Sequence, residues 1–124
     1  MKKTVITAAI AALFISNNAQ AAKMKRVTFE SHGQTLVGSL YLPDNYQQGQ
    51  KLPAIVVTGS WTSVKEQMPS GYAKMAADRG FAALAFDFRG WGETGGKIKY
   101  LEDPKRKTQD IIAAVNFLAN SPEV

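Results

Sequence analysis

The sequence predicts an α/β fold, and three observations carry that reading. Two short apolar runs, Ala54-Ile55-Val56-Val57 and Phe81 to Phe86, have the unbroken hydrophobicity of strands covered on both faces. A stretch of helical character separates them, from Pro69 or Ser70 to Asp78-Arg79. A second helical stretch with an apolar stripe follows the second run. Strand, helix, strand in that order implies a parallel pair joined by a right-handed crossover.

The first residues read as an export leader. Lys2 and Lys3 form a basic start, and Val5 to Ile15 an apolar run too short for the roughly 20 residues that a bilayer requires. Ala19-Gln20-Ala21 supplies the small-x-small pattern of a cleavage site, so residues 1–21 are expected to leave and residues 22–124 to form one small domain. The alternative is a buried helix or a membrane anchor. A cleaved leader places the chain in the periplasm or outside the cell, with no stable membrane anchor.

Composition then removes several function classes. Two of the 15 Lys and Arg leave with the leader, so 13 remain against 10 Asp and Glu. That mild charge is scattered, and its longest run, Lys105-Arg106-Lys107, reads as a solvated helix face. No basic stripe interleaved with aromatics appears, which argues against nucleic-acid binding. The chain has no cysteine, which removes disulfides, thiolate metal sites and a Cys nucleophile together. One histidine, His32, with no Cys makes a zinc site untenable, and no cofactor motif is present. The glycines of Gly90 to Gly96 lack the Lys of a phosphate-cradling loop.

Along the chain, Thr28-Phe29-Glu30 and Thr35 to Leu42 read as a hairpin turning at Ser31-His32-Gly33-Gln34. Leu36, Gly38, Leu40 and Leu42 share one face; Val37, Ser39 and Tyr41 share the other. Pro43 to Pro53 is a polar connector. The first helix should turn Tyr72, Met75 and Ala76 inward and end with Gly80 at C′. The second should start with Asp103 as N-cap and Pro104 at N1, and stop at Pro122. Its stripe is Ile111, Val115 and Leu118, with Ile112 and Ala119. Between strand and second helix lies "FDFRGWGETGG", whose glycines allow sharp turns and close approach.

Residues 52 to 96 resemble the N-terminal half of the α/β-hydrolase superfamily, most closely its dienelactone-hydrolase-like and peptidase-like bacterial members. The string carrying the likeness is D-x-R-G-x-G-x-[ST]-x-G, at Asp87, Arg89, Gly90, Gly92, Thr94 and Gly96. The hairpin before it and the helix after it fit the same pattern. The resemblance implies a Ser nucleophile on a Gly-x-Ser-x-Gly elbow, followed by an Asp or Glu and a His. It also implies an oxyanion hole with one backbone N–H from the loop after the third strand. That loop is Thr58-Gly59-Ser60-Trp61-Thr62-Ser63, and its donor would be the N–H of Ser60 or Trp61. The alternative is an ordinary strand-to-helix turn.

Asp87, Arg89, Gly90 and Gly92 would support this loop rather than do chemistry. Asp87 caps amides at the strand end, Arg89 braces a neighbouring carboxylate or carbonyls, and the glycines pack beneath the oxyanion loop. Trp91 would line the pocket mouth or pack at the surface.

No Gly-x-Ser-x-Gly occurs in the sequence, and His32 sits in a hairpin turn before the sheet core. The elbow strand would begin where "SPEV" stands. The resemblance thus implies a partial hydrolase sheet with no catalytic residue in this chain and a small ester or peptide-like substrate if completed. A non-catalytic exported binding module, or one half of a split hydrolase, are the alternatives. The strand Ala54 to Val57 would present an unpaired apolar edge open to self-association. If the leader is cleaved as expected, N-terminal sequencing of exported protein returns Ala22; a start at Met1 contradicts that reading.

Overall fold

A computed structural model describes residues 22–124, so the expected leader, residues 1–21, lies outside the described residues. Six elements follow in order: β1 (Lys23–Ser31), β2 (Gln34–Leu42), β3 (Ala54–Val57), α1 (Met68–Ala77), β4 (Ala82–Phe86) and α2 (Pro104–Ala119). The strands form one mixed sheet in the order β1-β2-β4-β3. β1 and β2 pair antiparallel, as do β2 and β4, whereas β3 runs parallel to β4. The α/β class holds, with β1 longer than its sequence signal suggested.

Local chemistry explains the element ends. β1 and β2 are joined by His32 and Gly33 alone, with φ of 47° and 78°. Positive φ at both central residues is what a tight type I′ hairpin demands. The Asp103 carboxylate accepts from the N–H groups of Lys105 (2.9 Å) and Arg106 (3.3 Å), capping α2 with Pro104 at its first position.

The two helices cover opposite faces of the sheet. On one, Leu36, Leu40, Leu84 and Phe86 pack against Ala114 and Leu118 of α2, with Phe29 stacked on Phe117 at 5.0 Å between ring centroids. On the other, Ala83 and Ala85 of β4 meet Ala73 and Ala77 of α1, together with Tyr41. Every residue of β4 is buried. Removing a side chain such as Leu84 from water contributes roughly 1.5–3 kcal/mol, which makes this central strand the anchor of both layers.

The inward residues of the helices differ from the sequence expectation. Tyr72 and Met75 are 58% and 50% exposed, while Pro69, Ser70, Ala73 and Ala77 face the sheet. The reason is steric: β4 offers only alanine methyls on that face, and a small-residue stripe lets the helix approach it closely. Ile112 and Val115 are likewise exposed, and Asp110, Ala114 and Leu118 form the buried line of α2. The displaced apolar residues are not scattered. Tyr72 and Met75 line a hollow against Ile55, Val56 and Val57 on one face of β3. Ile111 and Val115 line another against Ala54, Ile55 and Val56 on the other face. β3 is an edge strand among the described residues, as the sequence reading expected, while its faces are less covered than the unbroken apolar run suggested, with Ile55 41% exposed.

Candidate functional site

Loops leaving the carboxyl ends of the parallel strands β3 and β4 meet beside this open edge. Such ends are where α/β sheets place their ligands. The first loop, Thr58–Ser63, is a turn in which the Ser60 carbonyl accepts from the Ser63 N–H (3.4 Å) and Oγ (2.9 Å). Thr62, the third residue of the Ser60–Ser63 turn, has φ of 57°. A β-branched residue in that left-handed conformation carries a strain on the order of 1–3 kcal/mol and needs external support. The Glu102 carboxylate provides it, accepting from the Thr62 N–H at 2.8 Å. Ser60 and Trp61 are exposed, Trp61 by 70%, and among the described residues neither of their N–H groups is given to another residue.

The second loop, from Asp87 to Gly96, is organised around one carboxylate. Asp87 is fully buried and accepts from three donors: the Lys65 N–H at 2.8 Å, the Lys65 Nζ at 3.0 Å and the Glu93 N–H at 3.0 Å. Gly92, with φ of 52°, lies so close that a Cβ there would sit 2.3 Å from Asp87 Oδ2. Gly90, with φ of 81°, has the Ile98 carbonyl oxygen 2.2 Å from where a Cβ would fall. The glycines therefore make room for Asp87 and for the Ile98 backbone. Thr94 completes the motif. Its hydroxyl donates to the Asp87 carbonyl (2.8 Å) and accepts from the Val37 N–H (2.9 Å).

Arg89 reaches the other way, to α2. Its Nε donates to Asp110 Oδ1 at 2.7 Å, and its Nη2 donates to the Arg106 carbonyl (3.0 Å) and Gln109 Oε1 (2.7 Å). The Ser31 hydroxyl donates to the same Asp110 oxygen at 2.7 Å, tying the hairpin to this network. His32, next to Ser31, lies in the hairpin of β1, at the opposite edge of the sheet from β3. Trp91 is buried and stands edge-on to Tyr100 at 5.6 Å between centroids. Among the described residues no group of three or more His, Cys, Asp or Glu side chains is arranged to hold a metal.

Three charged residues that matter here carry no signal as isolated letters. Lys65 is only 2% exposed and meets Glu66, Asp87 and Glu93. Burial alone would lower its pKa, but the hydrogen bonds to these carboxylates outweigh it and raise the value well above the ordinary lysine range. Glu93, hydrogen-bonded to Lys65 and Arg26, is held below the usual carboxylate range. Lys107, expected on a solvated face, instead turns inward to pair with Glu102 at 2.6 Å and sits 4.6 Å over the Phe88 ring. Asp110 had a signal: it shares i, i+4 spacing with Ala114 and Leu118 on the buried line of α2.

This sheet order, with two loops meeting at the carboxyl ends of its parallel strands, defines the class, the first part of an α/β-hydrolase fold. Residues 32–124 match the X-Pro dipeptidyl-peptidase (S15) family, and the chain belongs to that family. It is 46% identical over 101 residues to the uncharacterized protein PA2218 of Pseudomonas aeruginosa, covering 81% of this chain and 27% of that protein. The crystal structure of PA2218 superposes with a TM-score of 0.78 at 44% identity, over 84% of this chain and 32% of that one. The thiohydrolase aneE of Aspergillus aculeatus is 32% identical over 92 residues, 74% of this chain and 27% of the fungal protein. The esterase Pf2001 of Pyrococcus furiosus superposes with a TM-score of 0.61 at 26% identity, over 82% of this chain and 39% of the esterase. The chain thus spans about a quarter to two fifths of the length of these relatives.

The Asp87 cluster generates a prediction. Replacing Lys65 with Met leaves a buried carboxylate without its counter-charge, a change that costs about 3–5 kcal/mol. Urea unfolding at neutral pH measures it. The pH dependence follows from the two shifts. The raised Lys65 contributes stability that is fully present below pH 10.5, its ordinary value, and is lost as pH rises through the higher folded one. The depressed Glu93 contributes stability present above pH 4.5 and lost as pH falls through its lower folded value. The contribution of this pair should therefore stay level from about pH 5 to 10 and decline on either side.

Proposed function

We propose that this chain is the amino-terminal portion of an exported serine hydrolase that cleaves ester, lactone or peptide-like acyl bonds. The observation that carries the reading is the Thr58–Ser63 loop. It projects from the carboxyl end of a parallel strand, with the N–H groups of Ser60 and Trp61 uncommitted to any described residue. A backbone N–H held in that state suits an oxyanion hole, because it meets the charge that develops on the carbonyl oxygen during acyl transfer without reorganising. Family membership and the esterase and thiohydrolase relatives support the same chemistry.

The nucleophile, its base and the acid are assigned to residues outside this sequence, which lacks a Gly-x-Ser-x-Gly elbow and whose one histidine is His32. The open edge of β3 supports that assignment. Its two flanking hollows are walled by Tyr72 and Met75 on one face and Ile111 and Val115 on the other, a slot for one more strand buried on both sides. Asp87, Arg89, Gly90 and Gly92 hold the loops in place and do no bond making. The substrate is a small acyl compound, and no cofactor is called for.

As it stands, the chain should neither turn over short acyl esters nor react with a fluorophosphonate probe. Ester hydrolysis followed by spectrophotometry and intact-mass labelling check this. Labelling on Ser60 or Ser63 contradicts the proposal and moves the nucleophile into the Thr58–Ser63 loop.

A further inference from the structure

The Glu102–Lys107 pair lies in no motif of the sequence and takes no part in the glycine-rich loop. Yet Glu102 is the residue that reaches across 40 positions to hold the loop carrying Ser60 and Trp61. Its side chain is only 10% exposed. One oxygen accepts from the Thr62 N–H at 2.8 Å and from Lys107 Nζ at 2.8 Å, while the other lies 2.6 Å from Lys107 Nζ. Lys107 is itself fixed, by the α2 backbone and by the faces of Phe88 at 4.6 Å and Trp91 at 5.9 Å.

The turn explains why such a hold is needed. In Ser60-Trp61-Thr62-Ser63 the positive φ of Thr62 requires the Trp61–Thr62 peptide to face one particular way. A type II arrangement of this kind favours glycine at its third residue; threonine there is drawn back to negative φ by a flip of that peptide. A peptide is planar, so its N–H and C=O point in opposite directions. Binding the Thr62 N–H to Glu102 therefore also fixes the Trp61 carbonyl on the far side. The flip is blocked at the residue next to the proposed oxyanion donors.

The choice of charges fits the same purpose. A bare carboxylate beside an oxyanion site would oppose the negative charge forming there. With Lys107 paired to both oxygens, Glu102 keeps its strength as an acceptor while its net field is cancelled.

We propose that Glu102, neutralised by Lys107, is the positioning residue that locks the Trp61–Thr62 peptide and so presents the Ser60 and Trp61 N–H groups to substrate. The role in presentation rests on the hydrolase reading; the lock itself does not. Hydrogen exchange followed by mass spectrometry on the whole chain tests the lock without any substrate. In Glu102→Ala, peptides spanning residues 58–64 should exchange roughly tenfold faster, the effect of losing a hydrogen bond to a charged group. Peptides covering Ala82–Phe86 should be unchanged. Glu102→Gln keeps an acceptor for the Thr62 N–H and should restore most of the protection, a rescue that a general loss of folding would not give. Unchanged exchange at 58–64 in Glu102→Ala overturns the proposal. So does equal loss of protection at 58–64 and 82–86 in both variants. Absence of acyl chemistry in any longer form of the protein would count against the hydrolase reading alone and leave these exchange rates as they are.

Discussion

The buried carboxylate of Asp87 is the constraint around which both loops are arranged. A carboxylate out of water is tolerated only when its lone pairs are filled and its charge is matched. Two backbone N–H groups and the Lys65 ammonium do both. Because one N–H comes from residue 65 and another from residue 93, filling Asp87 pins the end of the β3 loop to the glycine-rich loop of β4. Gly92 is part of the same solution, since any side chain there would enter the space of the carboxylate. Arg89, two residues on, repeats the logic toward α2 by meeting Asp110, so strand, hairpin and helix share one polar network.

What could be read from the letters alone divides along physical lines. Strands and helix ends were legible because their signals are local: unbroken apolar runs, a Pro after an Asp cap, His-Gly at a two-residue turn. The orientation of α1 was not, since periodicity marks Tyr72 and Met75 as apolar but cannot say which neighbour covers them. The alanines of β4 decide that, and they reserve the sheet face for Ala73 and Ala77. Of the site, the motif positions Asp87, Arg89, Gly90 and Gly92 stood out and Asp110 was marked by its helical spacing, whereas Lys65, the partner of Asp87, and Glu102, the partner of Thr62, were not legible. Their pairings span 22 and 40 positions, and a charged letter in a loop looks the same whether solvated or buried.

The same structure holds two kinds of surface at β3. Its carboxyl end is finely fixed, with Thr62 strained and tied to Glu102. Its edge is open, apolar on both flanks and free of charge or proline within the strand. Ordered loops next to an unsatisfied edge suit a chain whose site is shared with a further strand, and they suit poorly a surface shaped for solvent. On the proposed reading, the apolar residues displaced from the inner faces of α1 and α2 are the walls that receive that strand.

Sedimentation velocity on residues 22–124 at micromolar concentration tests this most directly, comparing the unaltered chain with Ile55→Lys. An open apolar edge should draw copies together, and a lysine placed on it should disperse them. The account predicts oligomers for the unaltered chain and a shift to monomer in the variant. A monomeric unaltered chain with a sharp, cooperative thermal transition would contradict it.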